Sequence, residues 1–188
     1  MNKTRTRIHV PIGQEEKAEK LGAIYDGRMK SYVVPQHMPI ILFQEFIPLP
    51  IELVPASNWE NNVRSEFKEE WRDIRRVCYR KAGYRCEKCG GVGEDHPVEC
   101  HEEWSYDDQK GIQKLERLIA LCPLCHKSQH YGYAVISGLE QEVRKHILKQ
   151  NRWKKEDLDK YLEEVFLVFE HRSRREWKLD LEALQDYR

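Results

Sequence analysis

Apolar and polar residues alternate in short runs over the first part of the chain. Residues 7–12 have the alternation of a strand, and residues 14–21 have the spacing of a short helix. Two apolar runs then flank the turn sequence Asp26-Gly27, as in a hairpin. This order predicts a small module of strand, helix and hairpin over residues 1–46.

A proline-rich stretch separates this module from a long run of helical periodicity. Three prolines in eight positions disfavour regular structure, so residues 47–57 are expected to form a linker. Apolar residues then recur every three or four positions until Gly83, which predicts one long helix. Ser57 and Glu60 have the spacing of a capping box at its start. The apolar stripe of this helix contains Trp59, Val63, Phe67, Trp71, Ile74 and Cys78.

The pattern changes again in the middle of the chain. Residues 97–106 and 111–121 are predicted strands that a short polar turn joins. Pro123, a residue type favoured in the first turn of a helix, opens a short helix that Gly132 is expected to end. Together with the long helix before it, this region is expected to form a core over residues 58–134.

Helical periodicity returns in the last part of the chain. Ser137 and Glu140 have capping-box spacing ahead of one helix, and residues 154–170 predict a second. Residues 135–188 are therefore expected to form a helical scaffold. Trp177 follows an arginine cluster, which we interpret as a packed aromatic beside solvated arginines, with nucleic-acid contact as the alternative. All segments together predict the α+β class.

The composition is that of a soluble globular protein. The chain has 188 residues, of which 40% are hydrophobic and 34% charged, enough for one ordinary domain or two small ones. It has no apolar run long enough to span a bilayer, and its first residues do not lead into a signal-peptide core. We therefore expect a cytoplasmic protein with no membrane partner.

The cysteines are arranged as metal ligands. In a reducing compartment, six cysteines are expected to be metal ligands or buried thiols rather than disulfides. Two Cys-x-x-Cys pairs separated by 32 residues each place two sulfurs on one tight turn, and two such turns close a tetrahedral shell. Cys78 lies on the apolar stripe and is expected to be a buried thiol. The predicted ligands of this structural zinc are Cys86, Cys89, Cys122 and Cys125.

A second metal site is predicted beside the first. His126 and His130 are four residues apart, so on a helix they point the same way and are able to share one ion. The four-sulfur site would hold the carboxylate-rich hairpin that carries His101 against this helix.

Charge is segregated although the net charge is zero, with 32 basic and 32 acidic residues. Residues 64–88 contain nine basic and five acidic side chains, whereas residues 94–116 contain eight acidic and two basic ones. A basic surface that leads to an acidic pocket is expected of a metal-dependent enzyme that acts on a polyanion. The alternative interpretation is that both segments form ordinary solvent-exposed faces.

The order of these motifs resembles the HNH endonucleases, whose ββα-metal motif is a two-stranded hairpin packed on one helix. The resemblance covers residues 71–130. It is carried by a helix that ends Lys81-Ala82-Gly83-Tyr84-Arg85 before the first cysteine pair, by His101, and by Leu118-Ile119-Ala120-Leu121-Cys122-x-x-Cys125-His126-x-x-x-His130. This resemblance implies hydrolysis of a DNA phosphodiester with one divalent cation, which could be Mg²⁺, Mn²⁺, Ni²⁺ or Zn²⁺.

The resemblance also implies roles for single residues. His101 would be the general base, and His126 and His130 would hold the catalytic cation. The ligand on the first strand is open among Glu99, Cys100 and Glu102; we favour Glu99, because it shares a face with His101 in a regular strand. Two departures from the family pattern are the Cys100-His101 pair and Arg117, which stands at the position of the family's central asparagine. Arg117 is a candidate phosphate contact, with Arg85 and Lys88.

The N-terminal module has a resemblance of its own. It is similar to a small domain of unknown function found in plasmid-borne primases and antirestriction proteins, which implies attachment to DNA-handling machinery. A merely structural role for its aromatic residues is the alternative. The matching residues are Val10-Pro11, Ala18, Leu21-Gly22-Ala23, Tyr25-Asp26, Lys30, Tyr32 and Val34-Pro35.

The leading hypothesis is therefore a metal-dependent DNA endonuclease. The first alternative is a zinc-stabilised DNA-binding or adaptor protein that has the same scaffold without catalysis. An RNA-directed nuclease or RNA-binding protein is a weaker alternative, because no aromatic-rich strand pattern for RNA is present. One active site per chain would require a homodimer, or two binding events, to cut both strands of a duplex.

Overall fold

The structure is a computed structural model that describes residues 5–188. The fold is α+β, as predicted, with two small sheets and several helices. The chain forms two compact units. The first contains the described residues up to Glu52 together with Ser128–Leu167, and the second contains Leu53–Lys127 and Val168–Arg188.

The predicted strand, helix and hairpin are present at the start of the first unit. Their order in the chain is β1 (Thr6–Ile8), α1 (Glu15–Lys20), β2 (Ile24–Asp26) and β3 (Ser31–Val34). The strands form an antiparallel sheet in the order β1-β3-β2. The Asp26 carboxylate accepts the backbone N–H groups of Arg28 and Met29, which closes the hairpin turn.

The proline-rich segment is irregular but well packed. A 3₁₀ segment that the sequence analysis missed, Ile40–Phe46, precedes it. The Asn151 side chain then accepts the Leu49 N–H at 2.8 Å and donates to the Leu49 carbonyl at 3.0 Å. The Ile51 N–H donates to the Tyr161 hydroxyl at 3.2 Å. These side chains replace the hydrogen bonds that regular structure would have supplied.

The prediction of one long helix is wrong, because the segment is broken into separate turns. A 3₁₀ turn at Ala56–Asn58 is followed by α2 (Val63–Glu66) and α3 (Trp71–Lys81). Asn62 and Ser65 form the capping box that starts α2, whereas the Ser57 hydroxyl donates to a backbone carbonyl elsewhere in the second unit. A side-chain cap within the apolar stripe stabilises the start of a new helix, and it disfavours one helix that continues through this position.

The predicted hairpin is confirmed as β4 (Glu99–Asp107) and β5 (Ile112–Leu121), which pair antiparallel. Its turn is closed by the Asp107 carboxylate, which accepts two backbone N–H groups. A register shift lies between Glu103 and Trp104. On the far side of this shift from the turn, His101 is opposite Ile119.

The helix after the second cysteine pair is present as α4 (Pro123–Gln129). Gly132 does not end the helical region, because α5 (Tyr131–Ile136) contains it. The next helices are α6 (Glu140–Asn151) and α7 (Lys155–Arg172). The predicted capping box of Ser137 and Glu140 does not form, since α6 begins without a side-chain cap.

The end of the chain adds a third strand to the hairpin sheet. β6 (Lys178–Asp180) pairs parallel with β5, and a 3₁₀ segment, Glu182–Tyr187, follows. The Tyr187 hydroxyl donates to the Leu118 carbonyl at 2.8 Å and accepts the Leu118 N–H at 3.0 Å, which satisfies both backbone groups of that residue. Trp177 is buried, as interpreted from the sequence.

The hairpin has two different faces. One face packs against α3 and the C-terminal segment in the main core of the second unit, whose buried members include Ile74, Cys78, Trp104, Leu115, Leu118, Ala120, Leu184 and Tyr187. Cys100 lies on this face of β4. Alternation along a strand therefore places Glu99 and His101 on the opposite face, which α4 approaches.

Candidate metal centres

The four predicted cysteines meet at one point. Their sulfurs all lie within 4.8 Å of one another, and those of Cys89 and Cys122 are 3.6 Å apart. Four sulfurs at about 2.3 Å from a tetrahedral zinc would be about 3.8 Å from one another. The cluster is therefore compatible with a structural zinc, and it joins the loop before β4 to the start of α4 in the second unit.

The first cysteine turn is shaped by glycine. Gly90 has φ +72°, and its N–H donates to the Cys86 carbonyl at 2.8 Å, while the Cys86 N–H donates to the Gly91 carbonyl at 2.9 Å. The following Gly93 approaches its surroundings so closely that a Cβ there would be 2.3 Å from the His96 carbonyl oxygen and 2.7 Å from Pro123. The turn thus directs two sulfurs at the second pair and packs against the residue that opens α4.

The thiols influence one another because they are crowded together. Hydrogen bonding from the Cys125 thiol lowers the pKa of Cys86 to about 4, and the same contact raises the pKa of Cys125. Burial raises the pKa of Cys122 to about 11. A cation bound among the sulfurs would stabilise their thiolate forms, which are the forms that bind metal.

Charged side chains connect the first cysteine turn to the hairpin. Arg117 donates to Glu87 and to Glu103, both at 2.6 Å. Lys88 contacts the other oxygen of Glu103 at 2.9 Å. Glu87 also accepts the Ala120 N–H at 2.9 Å. This charge-balanced group of two acids and two bases places the candidate phosphate contacts Arg117 and Lys88 in internal ion pairs.

The predicted histidines are brought together. His101 on β4 is buried, and its ring centroid lies 5.2 Å from that of His126 on α4, with the rings edge to face. His101 and His126 both belong to the second unit, and each offers a ring nitrogen within 4.8 Å of the other. The other predicted ligand, His130, lies one residue beyond the end of α4, so it does not share that helix with His126 as expected.

Glu99 contacts the outer side of this cluster. One carboxylate oxygen lies 2.5 Å from Nδ1 of His126, and the other lies 2.9 Å from Nε2 of His96. Hydrogen bonding to His126 is the main cause that lowers the pKa of Glu99 to about 2, against the opposing effect of burial. Glu99 is not part of the candidate metal-binding group that contains His101 and His126. Sequence reasoning missed His96, although its position three residues before Glu99 on the approach to β4 was a signal.

The other two candidates on the first strand have different surroundings. Cys100 interacts with the Cys78 thiol, and this contact together with burial raises the pKa of Cys100. Burial likewise raises the pKa of Glu102. Regular alternation places both residues on the strand face opposite His101. Arg85, the remaining predicted nucleic-acid contact, is exposed and donates to the Gly90 carbonyl at 3.1 Å.

Comparisons of the chain with known protein families, curated proteins and solved structures find no match. Within residues 5–188, no helix combines the length and apolar content needed to cross a membrane.

Proposed function

We propose that this chain is a metal-dependent endonuclease of the HNH type that hydrolyses phosphodiester bonds in DNA. The observation that carries the proposal is the placement of His101, on a hairpin strand, 5.2 Å from the ring of His126 on the following helix. A four-cysteine cluster compatible with structural zinc joins the same hairpin and helix. A strand imidazole facing a helix imidazole is the arrangement that the resemblance implied.

The ligand atoms fit a transition-metal ion. His126 and His130 would hold it, and imidazole suits Ni²⁺ and Zn²⁺ better than Mg²⁺ or Mn²⁺, which prefer oxygen. The cation would stabilise charge on the phosphate and on the leaving oxygen. Glu99 contacts Nδ1 of His126, which leaves Nε2 as the nitrogen for a metal. We therefore assign Glu99 to orienting His126 rather than to binding the ion.

His101 performs the proton transfer in this proposal. A ring nitrogen accepts a proton from water while the water oxygen bonds to phosphorus and the bond from phosphorus to the 3′ oxygen breaks. The leaving oxygen takes its proton from solvent. Arg117 and Lys88 hold the cysteine turn against the hairpin through their acidic partners, so the proposal gives them a positioning role.

A DNA-binding adaptor without catalysis is the second candidate, and one observation favours it. His101 is only 4% exposed, which restricts access of a water molecule and a phosphate to its ring. In that case His101 and His126 would help to hold a second structural ion.

Plasmid nicking decides between the two candidates. The intact chain is incubated with supercoiled DNA and Mg²⁺, Mn²⁺, Ni²⁺ or Zn²⁺, beside His101→Ala and the control His171→Ala, which changes an exposed histidine of α7. We expect nicking by the intact chain and the control, strongest with Ni²⁺ or Zn²⁺, and a loss of about 100-fold or more in His101→Ala. Equal activity in His101→Ala would remove the base assignment.

Absence of cleavage with every metal would favour the adaptor. A parallel digestion of single-stranded RNA tests the RNA-directed alternative, since preferential cleavage of RNA would replace DNA as the substrate.

A further inference from the structure

The second unit contains a groove between α2 and α3 with an unusual concentration of positive charge. Its volume is about 590 Å³, and Trp71 forms part of its wall. None of the residues that line it is acidic. Four of them are basic: Arg64, Lys68, Arg72 and Arg75.

Three of these four charges have no acidic neighbour, whereas Arg72 lies 3.6 Å from a carboxylate oxygen of Asp73. Among the described residues, no carboxylate lies within 4.0 Å of the basic groups of Arg64, Lys68 or Arg75. By contrast, Arg117 and Lys88 each have a carboxylate within 3.0 Å. Cations that face one another without acids repel, and a bound polyanion removes that repulsion.

Local structure places these side chains around the groove. Arg64 lies on α2, and Lys68 lies in the turn between α2 and α3. Arg72 and Arg75 are three residues apart on α3, so they project from neighbouring positions on one side of that helix. The capping box that breaks the predicted long helix lies between Asn62 and Ser65, both of which also line the groove.

A second cavity borders the groove. This cavity has a volume of about 570 Å³ and shares Arg75 with the first. Its walls include two tyrosines, Tyr79 and Tyr84, and also Glu99. Glu99 is the carboxylate that contacts His126, so a ligand extending from the groove through the second cavity arrives beside the candidate metal centre.

We propose that the groove binds the phosphate backbone of a single DNA strand and leads that strand past the two tyrosines to the histidine site. Arginine and lysine supply backbone contacts without sequence preference, and exposed aromatic rings stack on unpaired bases. Tyr84 is 49% exposed, so its ring is accessible for stacking. The inference rests on the proposed function, because it takes the strand bound in the groove to be the strand that is cut.

The test replaces three groove cations in the intact chain with Arg64→Gln, Lys68→Gln and Arg75→Gln together. All three side chains are exposed, so the change leaves the core intact, which a thermal melt checks. Binding is measured by fluorescence anisotropy with labelled oligodeoxythymidine over a range of salt, without added divalent cation. The control removes three exposed lysines of α6 and α7 that line neither cavity, Lys145, Lys149 and Lys155, by the same change to Gln.

Counterion release gives the expected size of the effect. Each phosphate contact to a single strand contributes about 0.7 to the slope of log K against log salt, so losing three lowers the slope by about 2. At about 0.1 M salt this weakens binding by on the order of 100-fold. The control triple variant is expected to keep the slope of the intact chain. An unchanged slope in the groove variant, or an equal loss in the control, would overturn the inference.

The same variants separate this inference from the proposed function. His101→Ala is expected to bind the oligonucleotide as the intact chain does. If no form of the chain cuts DNA but the groove variant still loses binding, the groove assignment stands and the nuclease fails. If the groove variant nicks and binds like the intact chain, the nuclease stands and the groove assignment fails. The same titrations are repeated with a duplex DNA and with an RNA of equal length. A loss of binding in the groove variant that is confined to either of these would also overturn the single-strand assignment.

Discussion

Arg117 provides a direct test of whether the hairpin and the cysteine turn are held together by charge. Its guanidinium donates to Glu87 and Glu103, one on the cysteine turn and one on β4. Replacing it with alanine leaves both carboxylates without this partner, and Glu103 keeps only Lys88. We expect Arg117→Ala to destabilise the second unit without weakening DNA binding.

The magnitude follows from two charged hydrogen bonds in a partly exposed setting. A hydrogen bond to a charged group contributes about 1.5–3 kcal/mol when well buried, whereas an exposed ion pair contributes about 0.2–1 kcal/mol. Arg117 is 43% exposed and its acidic partners are 30% and 26% exposed, which places each contact between these limits. The expected loss is about 2 kcal/mol in total, or a Tm lower by roughly 5 °C for a chain of this size.

Thermal unfolding with zinc present measures the loss, and anisotropy titrations in salt measure DNA binding. Arg174→Ala is the matched control, because Arg174 is exposed and has no ion pair within 4.0 Å among the described residues. It should change the Tm by less than about 1 °C. If Arg117→Ala instead kept its Tm and lowered the salt slope by about 0.7, Arg117 would be a phosphate contact and the internal tie would be refuted.

Three further changes test the fold around the sites. Gly93→Ala places a Cβ 2.3 Å from a backbone oxygen and is expected to lower the free energy of unfolding by about 1–3 kcal/mol. Gly132 lies in a helix and faces open space, so Gly132→Ala should leave the stability unchanged or raise it. Urea unfolding measures both. Asn151→Ala removes both partners of the Leu49 backbone and is expected to cost about 2–4 kcal/mol in the same assay. Hydrogen bonds from backbone N–H groups lower the pKa of Asp26. The stability that they contribute is therefore present above about pH 4 and is lost as the pH falls through the lowered pKa. In Asp26→Asn, the free energy of unfolding should depend less on pH over this acidic range.

Short-range patterns predicted the parts of the second unit that form the candidate metal sites. The alternation over residues 97–121 gave the hairpin, and Cys-x-x-Cys spacing gave the sulfur cluster. Both depend on contacts that the local sequence dictates, namely a closed turn at Asp107 and two tight cysteine turns. The expectation that His126 and His130 share one helix is not met, because α4 ends at Gln129.

Longer-range contacts explain what the sequence did not reveal. β6 pairs parallel with β5, and the Tyr187 hydroxyl reaches the backbone of Leu118 across 69 positions in the chain. No local periodicity encodes such a partner. The single long helix was expected because the apolar stripe continues through residue 62, yet the Asn62 side chain caps a new helix there. An apolar stripe indicates which face of a segment is apolar, but it does not indicate whether the segment forms one continuous helix.

The partners of two acidic residues on β4, Glu99 and Glu103, also depended on register. Glu99 was expected to bind the cation directly, whereas the structure gives both of its oxygens imidazole partners, His96 and His126. Arg117 and Glu103 are directly opposite each other across the hairpin, and Lys88 reaches the same carboxylate. Strand pairing and the register shift beside Glu103 determine which charged side chains face each other. The spacing of residues along the sequence does not reveal either of them.

Metal content per chain, measured before and after mild chelation, tests the central claim most directly. The account predicts two ions, one retained by the four sulfurs and one removed by the chelator. His126→Ala should abolish the removable ion only, whereas Cys86→Ser should release the retained one and unfold the second unit. One ion per chain that survives chelation and the loss of His126 would contradict a separate, exchangeable site at the histidines.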